Sequence, residues 1–222
     1  MKAVIFDLDG TLIDSIGVWK RVDDIVLARY GVASVETDEI FREEMKMLTY
    51  TECIAFIIER FGLDRTVEQM EKEFTQEALH EYGHNIRLKE GVEEFLSALK
   101  RKGLTLAVLT SSSRIMCEAV LKNNGIYDMF DQLFFCEEIG VNKSSEKAYI
   151  FVADKLNISP EDIIVFDDLG QACESAKNIG MTTIGIEDEE NIGEVLHLKR
   201  ICDDVIVNFS EYYDKFEKNI LK

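Results

Sequence analysis

Short apolar runs that end in polar residues recur along this chain, and they alternate with amphipathic segments. Runs at 104–109, 163–166 and 182–186 are separated by segments such as 113–124 and 170–179, which have the period of a helix. Continuous apolar runs of this length are typical of strands buried on both faces. The alternation therefore predicts an α/β fold with a Rossmann-like, doubly wound parallel sheet. The same patterns predict a strand over 133–135, helices over 91–102 and 144–156, an edge strand over 205–207 and a final helix over 210–221.

A further apolar run, residues 4–6, ends at Asp7, and Asp9 follows two residues later. Side chains alternate along an extended chain, so the two carboxylates should share one face with Leu8 turned away. Because the carboxyl ends of parallel strands border the ligand crevice, we expect Asp7 and Asp9 at the mouth of a site. A simpler interpretation is that Asp9 and Gly10 form a hairpin turn between apolar flanks, and the two interpretations are compatible.

Between this first strand and the next α/β segment, the chain shows only helical patterns. We expect an inserted α-helical cap domain over 15–84, packed as a small bundle, and an α/β core domain formed by 1–14 and 85–222. Asp14 or Ser15 could cap the first helix of the insert. The predicted helices of the insert are 15–30, 36–48, 50–61 and 66–83.

Composition argues against two classes of partner. The 222 residues are 46% hydrophobic, which allows a sizeable core, and 43 acidic against 25 basic side chains give a net charge of −18. This charge argues against nucleic acid and anionic membranes as partners, and no apolar run is long enough to span a bilayer. The five cysteines are scattered and include no CxxC pair, which indicates reduced thiols. The acidic residue Asp7 comes too early for a signal peptide. Both observations predict a cytoplasmic protein. We expect a monomer or a weak dimer.

Two polar residues next to predicted strands or helices could bind an anion. Thr110 directly follows the strand 104–109, and its hydroxyl with the N–H groups after it suits a phosphate oxygen. Lys143 stands before a helix, where it could bind phosphate and offset the charge of Asp7. The simpler alternatives are that Thr110 or a following serine caps the next helix, and that Lys143 is a solvated surface residue.

Asp167 and Asp168 form a second acidic pair at a strand end. One of them could merely cap the following helix, but two adjacent acids exceed what a cap needs. If they converge with Asp7 and Asp9, each close pair of like charges costs on the order of several kcal/mol at an effective dielectric constant of ~20. Cations must then be present, so the cluster predicts Mg²⁺.

The segment FDLDGTLIDS at 6–15 resembles the first motif of the haloacid dehalogenase superfamily, in the form typical of its phosphatase and phosphomutase branch. Thr110, Lys143 and the pair Asp167-Asp168 are similar to the later motifs of that family, in the same order. The resemblance implies an Mg²⁺-dependent phosphomonoester hydrolase for a small phosphorylated metabolite such as a sugar phosphate. It implies action through an aspartyl-phosphate intermediate on Asp7.

The roles that the resemblance implies extend to other residues. Asp9 would be the general acid and base, and Thr110 and the N–H of Ser111 would bind phosphate. Asp168 would be the main metal ligand beside Asp7, Asp9 and Asp167. Dehalogenases of the family lack the second aspartate, which disfavours that branch. A phosphomutase similar to β-phosphoglucomutase, and a non-catalytic binding module on the same fold, remain alternatives.

Three residues of the insert are candidates for substrate selection: Trp19, Lys46 and Tyr50. Trp19 lies near the start of the first helix of the insert, and the other two flank the loop before its third helix. Each has a simpler interpretation, since Trp19 could belong to the core of the insert and Lys46 could be a surface residue.

Overall fold

The computed structural model of this protein describes residues 1–15, 17–33, 39–45, 48–187 and 192–213. Its six strands are β1 (Ala3–Phe6), β2 (Thr105–Thr110), β3 (Gln132–Phe135), β4 (Ile163–Asp167), β5 (Thr182–Ile186) and β6 (Asp204–Ile206). They form one sheet in the order β3-β2-β1-β4-β5-β6, and every neighbouring pair is parallel. The predicted doubly wound α/β fold is confirmed, with β6 at an edge.

The helices follow the predicted order with shifts of a few residues at their ends. A short helix directly after β3 and the helix Ile192–Ile201 were not predicted. Residues 209–213 are helical where the final helix was expected. The remainder of that predicted helix lies outside the described residues. The helices are α1 (Val18–Ala28), α2 (Glu39–Met45), α3 (Tyr50–Phe61), α4 (Val67–His84), α5 (Val92–Arg101), α6 (Arg114–Asn123), α7 (Cys136–Ile139), α8 (Glu146–Leu156), α9 (Gly170–Asn178) and α10 (Ile192–Ile201).

Strand β1 is the centre of the sheet because all four of its side chains are apolar and buried. Its register places Phe6 opposite Val108 of β2 on one side and Phe166 of β4 on the other. The residues that follow these three strand positions therefore reach the same edge of the sheet. This register brings the polar ends of β1, β2 and β4 together.

Each face of the sheet has its own core. On one face, Ile5 and Val165 pack with Tyr149 of α8 and Ala172 of α9. The other face carries an aromatic cluster, in which the rings of Phe6 and Phe166 stack with centroids 5.1 Å apart. Other members of this cluster are Phe95 of α5 and Phe209. Helices thus cover both faces, which explains why the strands lack the apolar–polar alternation of a half-exposed sheet.

The chain forms two compact units, one comprising Met1–Ile16 with Ile86–Lys222 and the other Gly17–Asn85. The boundaries predicted from sequence lie within two residues of these limits, and the assignment of two independent domains stays a prediction. The second unit is helical throughout its described secondary structure, with α4 packed against α1 and α3. Its core contains Val22, Phe41 and Phe74.

The caps of the insert differ in part from the prediction. Helix α1 begins after Gly17, which has a φ of 74° and makes no side-chain cap, so the predicted cap by Asp14 or Ser15 is wrong. Helices α3 and α4 each begin with a capping box, from Thr49 and Thr66 respectively. Each box satisfies two backbone N–H groups that a helix start leaves unpaired.

All five cysteines are free thiols. Within the described residues, no helix has both the length and the apolar character that crossing a membrane would require.

Candidate active site

Three carboxylates meet at the carboxyl edge of the sheet. Asp7 directly follows β1, Asp167 is the last residue of β4, and Asp168 is next in the chain. One oxygen from each carboxylate lies within 4.8 Å of the others. Leu169, and neither aspartate, occupies the N-cap position of α9, whose Gly170 N–H is instead bound by Glu194 at 2.8 Å. The interpretation of the pair as a simple helix cap is therefore wrong.

Lys143 lies within this acidic cluster and is 5% exposed, so the surface interpretation is also wrong. Its Nζ donates to Asp7 Oδ1 at 2.5 Å and to Asp167 Oδ2 at 3.0 Å. Burial alone would lower the pKa of Lys143, but the attraction of Asp167 and Asp7 outweighs it and raises the pKa above its ordinary value. Lys143 is therefore charged, as a phosphate-binding group must be.

One ammonium does not balance three carboxylates. Burial raises the pKa of Asp168 to about 8, and the charges of Asp7 and Asp167 contribute to the shift. The pKa of Asp7 is also raised, first by burial and then by Asp167, although Lys143 opposes the shift. Both shifts come first from burial and then from neighbouring carboxylates, and in neither case does the charge of Lys143 cancel them.

The residues present fit a hard divalent cation. Carboxylate oxygens are the ligands that Mg²⁺ prefers, and Asp7, Asp167 and Asp168 offer three of them close together. The turn after β1 lies directly against the cluster, since a Cβ on Gly10 would lie 2.6 Å from Asp168 Oδ2. We infer a candidate metal site formed by these three carboxylates.

Asp9 takes a different position from the other acids. Its carboxylate is not part of the cluster of three, and Oδ2 accepts a short hydrogen bond from Ser112 Oγ. Its role as a metal ligand stays a prediction. Asp9 pairs with Ile13 in a parallel bridge, and Gly10 N–H donates to the Ile13 carbonyl at 3.1 Å. The segment is a tight turn at the site, although it is not an antiparallel hairpin.

The end of β2 supplies the hydroxyl groups of the site. Thr110 is 1% exposed, and its Oγ1 accepts from the N–H of Ser112 at 2.9 Å. The N-cap of α6 is Ser113, whose side chain makes no cap hydrogen bond, so the capping interpretation of this segment is not supported. Ser111 is exposed directly after the strand, and its N–H as a phosphate donor stays a prediction. The contact of Ser112 with Asp9 was not predicted, because a run of three serines does not show which one turns toward the site.

Two candidates in the insert lie on its surface. Trp19 of α1 and Tyr50 of α3 are 42% and 45% exposed, and their rings contact edge to face with centroids 6.2 Å apart. Trp19 is therefore not part of the core of the insert. Lys46 lies outside the described residues. The roles of these three residues in substrate selection stay predictions.

A parallel sheet with acids after β1 and β4, a buried lysine and a hydroxyl after β2 defines a class of α/β hydrolytic proteins. Residues 4–186 match the haloacid dehalogenase-like hydrolase family, and the chain belongs to that family.

Relatives with different activities resemble the chain over most of its length. A phosphorylated carbohydrates phosphatase of Thermotoga maritima is 27% identical over 197 residues, 88% of this chain and 90% of the relative. An (S)-2-haloacid dehalogenase of a Pseudomonas species is 24% identical, over 84% of each chain. A solved structure from Thermotoga maritima, provisionally assigned as a beta-phosphoglucomutase, is 25% identical with a TM-score of 0.82 and covers 93% of this chain and 94% of its own.

Proposed function

We propose that this protein is an Mg²⁺-dependent phosphatase that hydrolyses monoesters of small phosphorylated metabolites, a sugar phosphate being the first candidate. The observation that carries the proposal is Asp7 at the end of the central strand, held by the buried Lys143 and followed by Asp9. The similarity to a phosphatase of phosphorylated carbohydrates supports the same substrate class.

The proposed reaction has two steps. In the first, a carboxylate oxygen of Asp7 attacks phosphorus, the bond from phosphorus to the ester oxygen breaks, and Asp9 gives its proton to that oxygen. In the second, water attacks the phosphorus of the aspartyl-phosphate and gives a proton to Asp9, and the bond from phosphorus to the Asp7 oxygen breaks. Inorganic phosphate leaves, and Asp7 and Asp9 return to their starting states.

The charged and polar groups of the site supply the electrostatics. The three carboxylates would hold Mg²⁺, which when bound withdraws charge from phosphate oxygens. Lys143 places a positive charge beside Asp7, and Thr110 and the N–H of Ser111 would donate to the phosphoryl oxygens. These groups act most strongly where the negative charge of the transferring group develops.

Asp9 separates this proposal from dehalogenation, despite the similarity to a haloacid dehalogenase. A departing halide needs no proton, whereas an alkoxide leaving a phosphate ester is a strong base and does. A proton donor two residues after the nucleophile is therefore useful in the first step of a phosphatase, whereas the first step of a dehalogenase has no need of one.

A phosphomutase is the second candidate, because the chain is similar over most of its length to a solved protein provisionally assigned as a beta-phosphoglucomutase. In a mutase the phosphoryl group on Asp7 would pass to a second hydroxyl of a sugar phosphate instead of to water. The same residues would act in both reactions.

The test is phosphate release from a panel of phosphomonoesters, with Mg²⁺ and with EDTA. We expect metal-dependent release, and we expect Asp7→Asn to lower it by about a thousandfold or more because the nucleophile is lost. Asp154→Asn, at an exposed position of α8, is the matched control and should keep full activity.

Three results would contradict the phosphatase. Release that is equal in EDTA, or that survives in the Asp7→Asn variant, would exclude the proposed mechanism. No release by the native protein, together with transfer from an added sugar bisphosphate, would identify the phosphomutase.

A further inference from the structure

We propose that Ser112 is a positioning residue for Asp9 and holds the proposed general acid and base in the orientation that proton transfer needs. The inference rests on the proposed function. It starts from the hydrogen bond that Ser112 Oγ donates to Asp9 Oδ2. The two residues are 103 positions apart in sequence, so the contact depends on the pairing of β1 with β2.

Ser112 is itself held in place. Its N–H donates to Thr110 Oγ1 at 2.9 Å, and Thr110 is the buried last residue of β2. The hydroxyl that contacts Asp9 is thus anchored to the sheet over only two residues. Because Thr110 Oγ1 accepts this hydrogen bond, the hydroxyl proton of Thr110 points away from Ser112. That proton is free to be donated to another group.

A carboxylate bound through one oxygen cannot rotate freely about its Cβ–Cγ bond. Ser112 therefore sets the direction of the other oxygen of Asp9. Proton transfer requires a donor and an acceptor within hydrogen-bond reach and in line, so a freely rotating carboxylate would spend less time in the productive orientation. Both proposed steps use this group, first to protonate the leaving oxygen and then to accept a proton from water.

The experiment compares two esters that differ in their need for an acid. An alkyl ester such as glycerol phosphate needs protonation of its leaving oxygen, whereas the nitrophenolate of p-nitrophenyl phosphate leaves without it. The quantity to measure is kcat/KM with Mg²⁺, because it covers substrate binding and the first proposed step and leaves out the second. The variants are Ser112→Ala and Ser112→Cys, the conservative Ser112→Thr, and Ser113→Ala as the neighbouring control.

We expect Ser112→Ala to lower kcat/KM for the alkyl ester by about tenfold or more and that for the nitrophenyl ester by less than about threefold. Ser112→Thr keeps a hydroxyl and should restore most of the loss, and Ser113→Ala should change neither value. Ser112→Cys, whose thiol is a weak donor, should give the same pattern as alanine and serves if that variant folds poorly.

Equal losses on both esters would overturn the inference, because they would show a general effect on the fold or on phosphate binding. Unchanged activity of Ser112→Ala on the alkyl ester would overturn it as well. If the native protein hydrolyses neither these esters nor any other, the proposed function fails and the inference falls with it.

Discussion

At the residue scale, the site is built from groups that repel one another. Asp7, Asp167 and Asp168 lie within a few ångströms, and Lys143 contacts only the first two of them by hydrogen bonds. Burial, and after it the charges of Asp7 and Asp167, raise the pKa of Asp168 to about 8, so the fold disfavours a charge at that position. Functional sites commonly keep such unfavourable clusters, which cost stability until a ligand binds.

This cluster predicts a pH-dependent stabilisation by Mg²⁺. In EDTA, the folded protein holds a proton on Asp168 that the unfolded chain releases near pH ~4, so the free energy of unfolding should fall as pH rises from ~4 to about 8. Burial and Asp167 raise the pKa of Asp7 and give the same sign. Mg²⁺ competes with these protons, so the increase in Tm with Mg²⁺ over EDTA should be larger at about pH 8.5 than at about pH 5.

Asp168→Asn provides the matched variant for this prediction. It removes one of the repelling charges, so its Tm in EDTA at about pH 8.5 should exceed that of the native protein, and Mg²⁺ should raise it little. Asp154→Asn should behave like the native protein. A Tm increase with Mg²⁺ that is independent of pH, or unchanged in Asp168→Asn, would contradict the site.

At the scale of elements, the end of β1 and the turn that follows it decide the geometry of the site. Gly10 has a φ of +80°, in the region that side chains disfavour, and it also lies against the Asp168 carboxylate. Glycine is required there for two separate reasons, backbone conformation and close approach. Gly103 shares only the first of these requirements: its φ is +74°, but a Cβ added to it would meet nothing within 4 Å.

We therefore predict different outcomes for Gly10→Ala and Gly103→Ala. Each should lose about 1–2 kcal/mol of stability from the left-handed conformation, measured by urea unfolding in EDTA. Only Gly10→Ala should also weaken Mg²⁺ binding, because its Cβ would displace Asp168; isothermal titration calorimetry would measure this. Equal Mg²⁺ affinities in the two variants would show that the turn does not support the metal site.

At the scale of the whole molecule, the net charge of −18 acts on stability. Many exposed acids are paired, as in the contacts of Arg114 with Glu138 and of Lys177 with Asp203, but acids exceed bases by a wide margin. Such an excess destabilises a compact state through repulsion and disfavours self-association. The expected monomer or weak dimer is consistent with this repulsion, and it stays a prediction.

Screening should therefore stabilise the protein. Raising KCl from about 20 mM to about 300 mM in EDTA shortens the Debye length to below ~10 Å, so we expect Tm to rise by a few degrees. NaCl at equal ionic strength should act alike, because screening does not depend on which monovalent cation is present. A Tm that falls with salt would show that attractive pairs outweigh the net repulsion.

Most of the fold could be predicted from local patterns. The apolar runs that became β1, β4 and β5 were identifiable because burial on both faces demands consecutive apolar residues. Element ends were less predictable: α1 begins after Gly17 without a side-chain cap, and α7 consists of one turn. Such ends depend on a few hydrogen bonds that neighbouring segments supply.

By itself, the sequence determined most of the order of strands and helices, the helical insert and the acids that end β1 and β4, because each follows from residues adjacent in the chain. Only the tertiary structure decided which of these groups meet. It placed Lys143 between Asp7 and Asp167, directed Ser112 to Asp9, and exposed Trp19 instead of burying it. Those contacts join residues far apart in sequence, and they depend on strand order, register and packing, which no local pattern encodes.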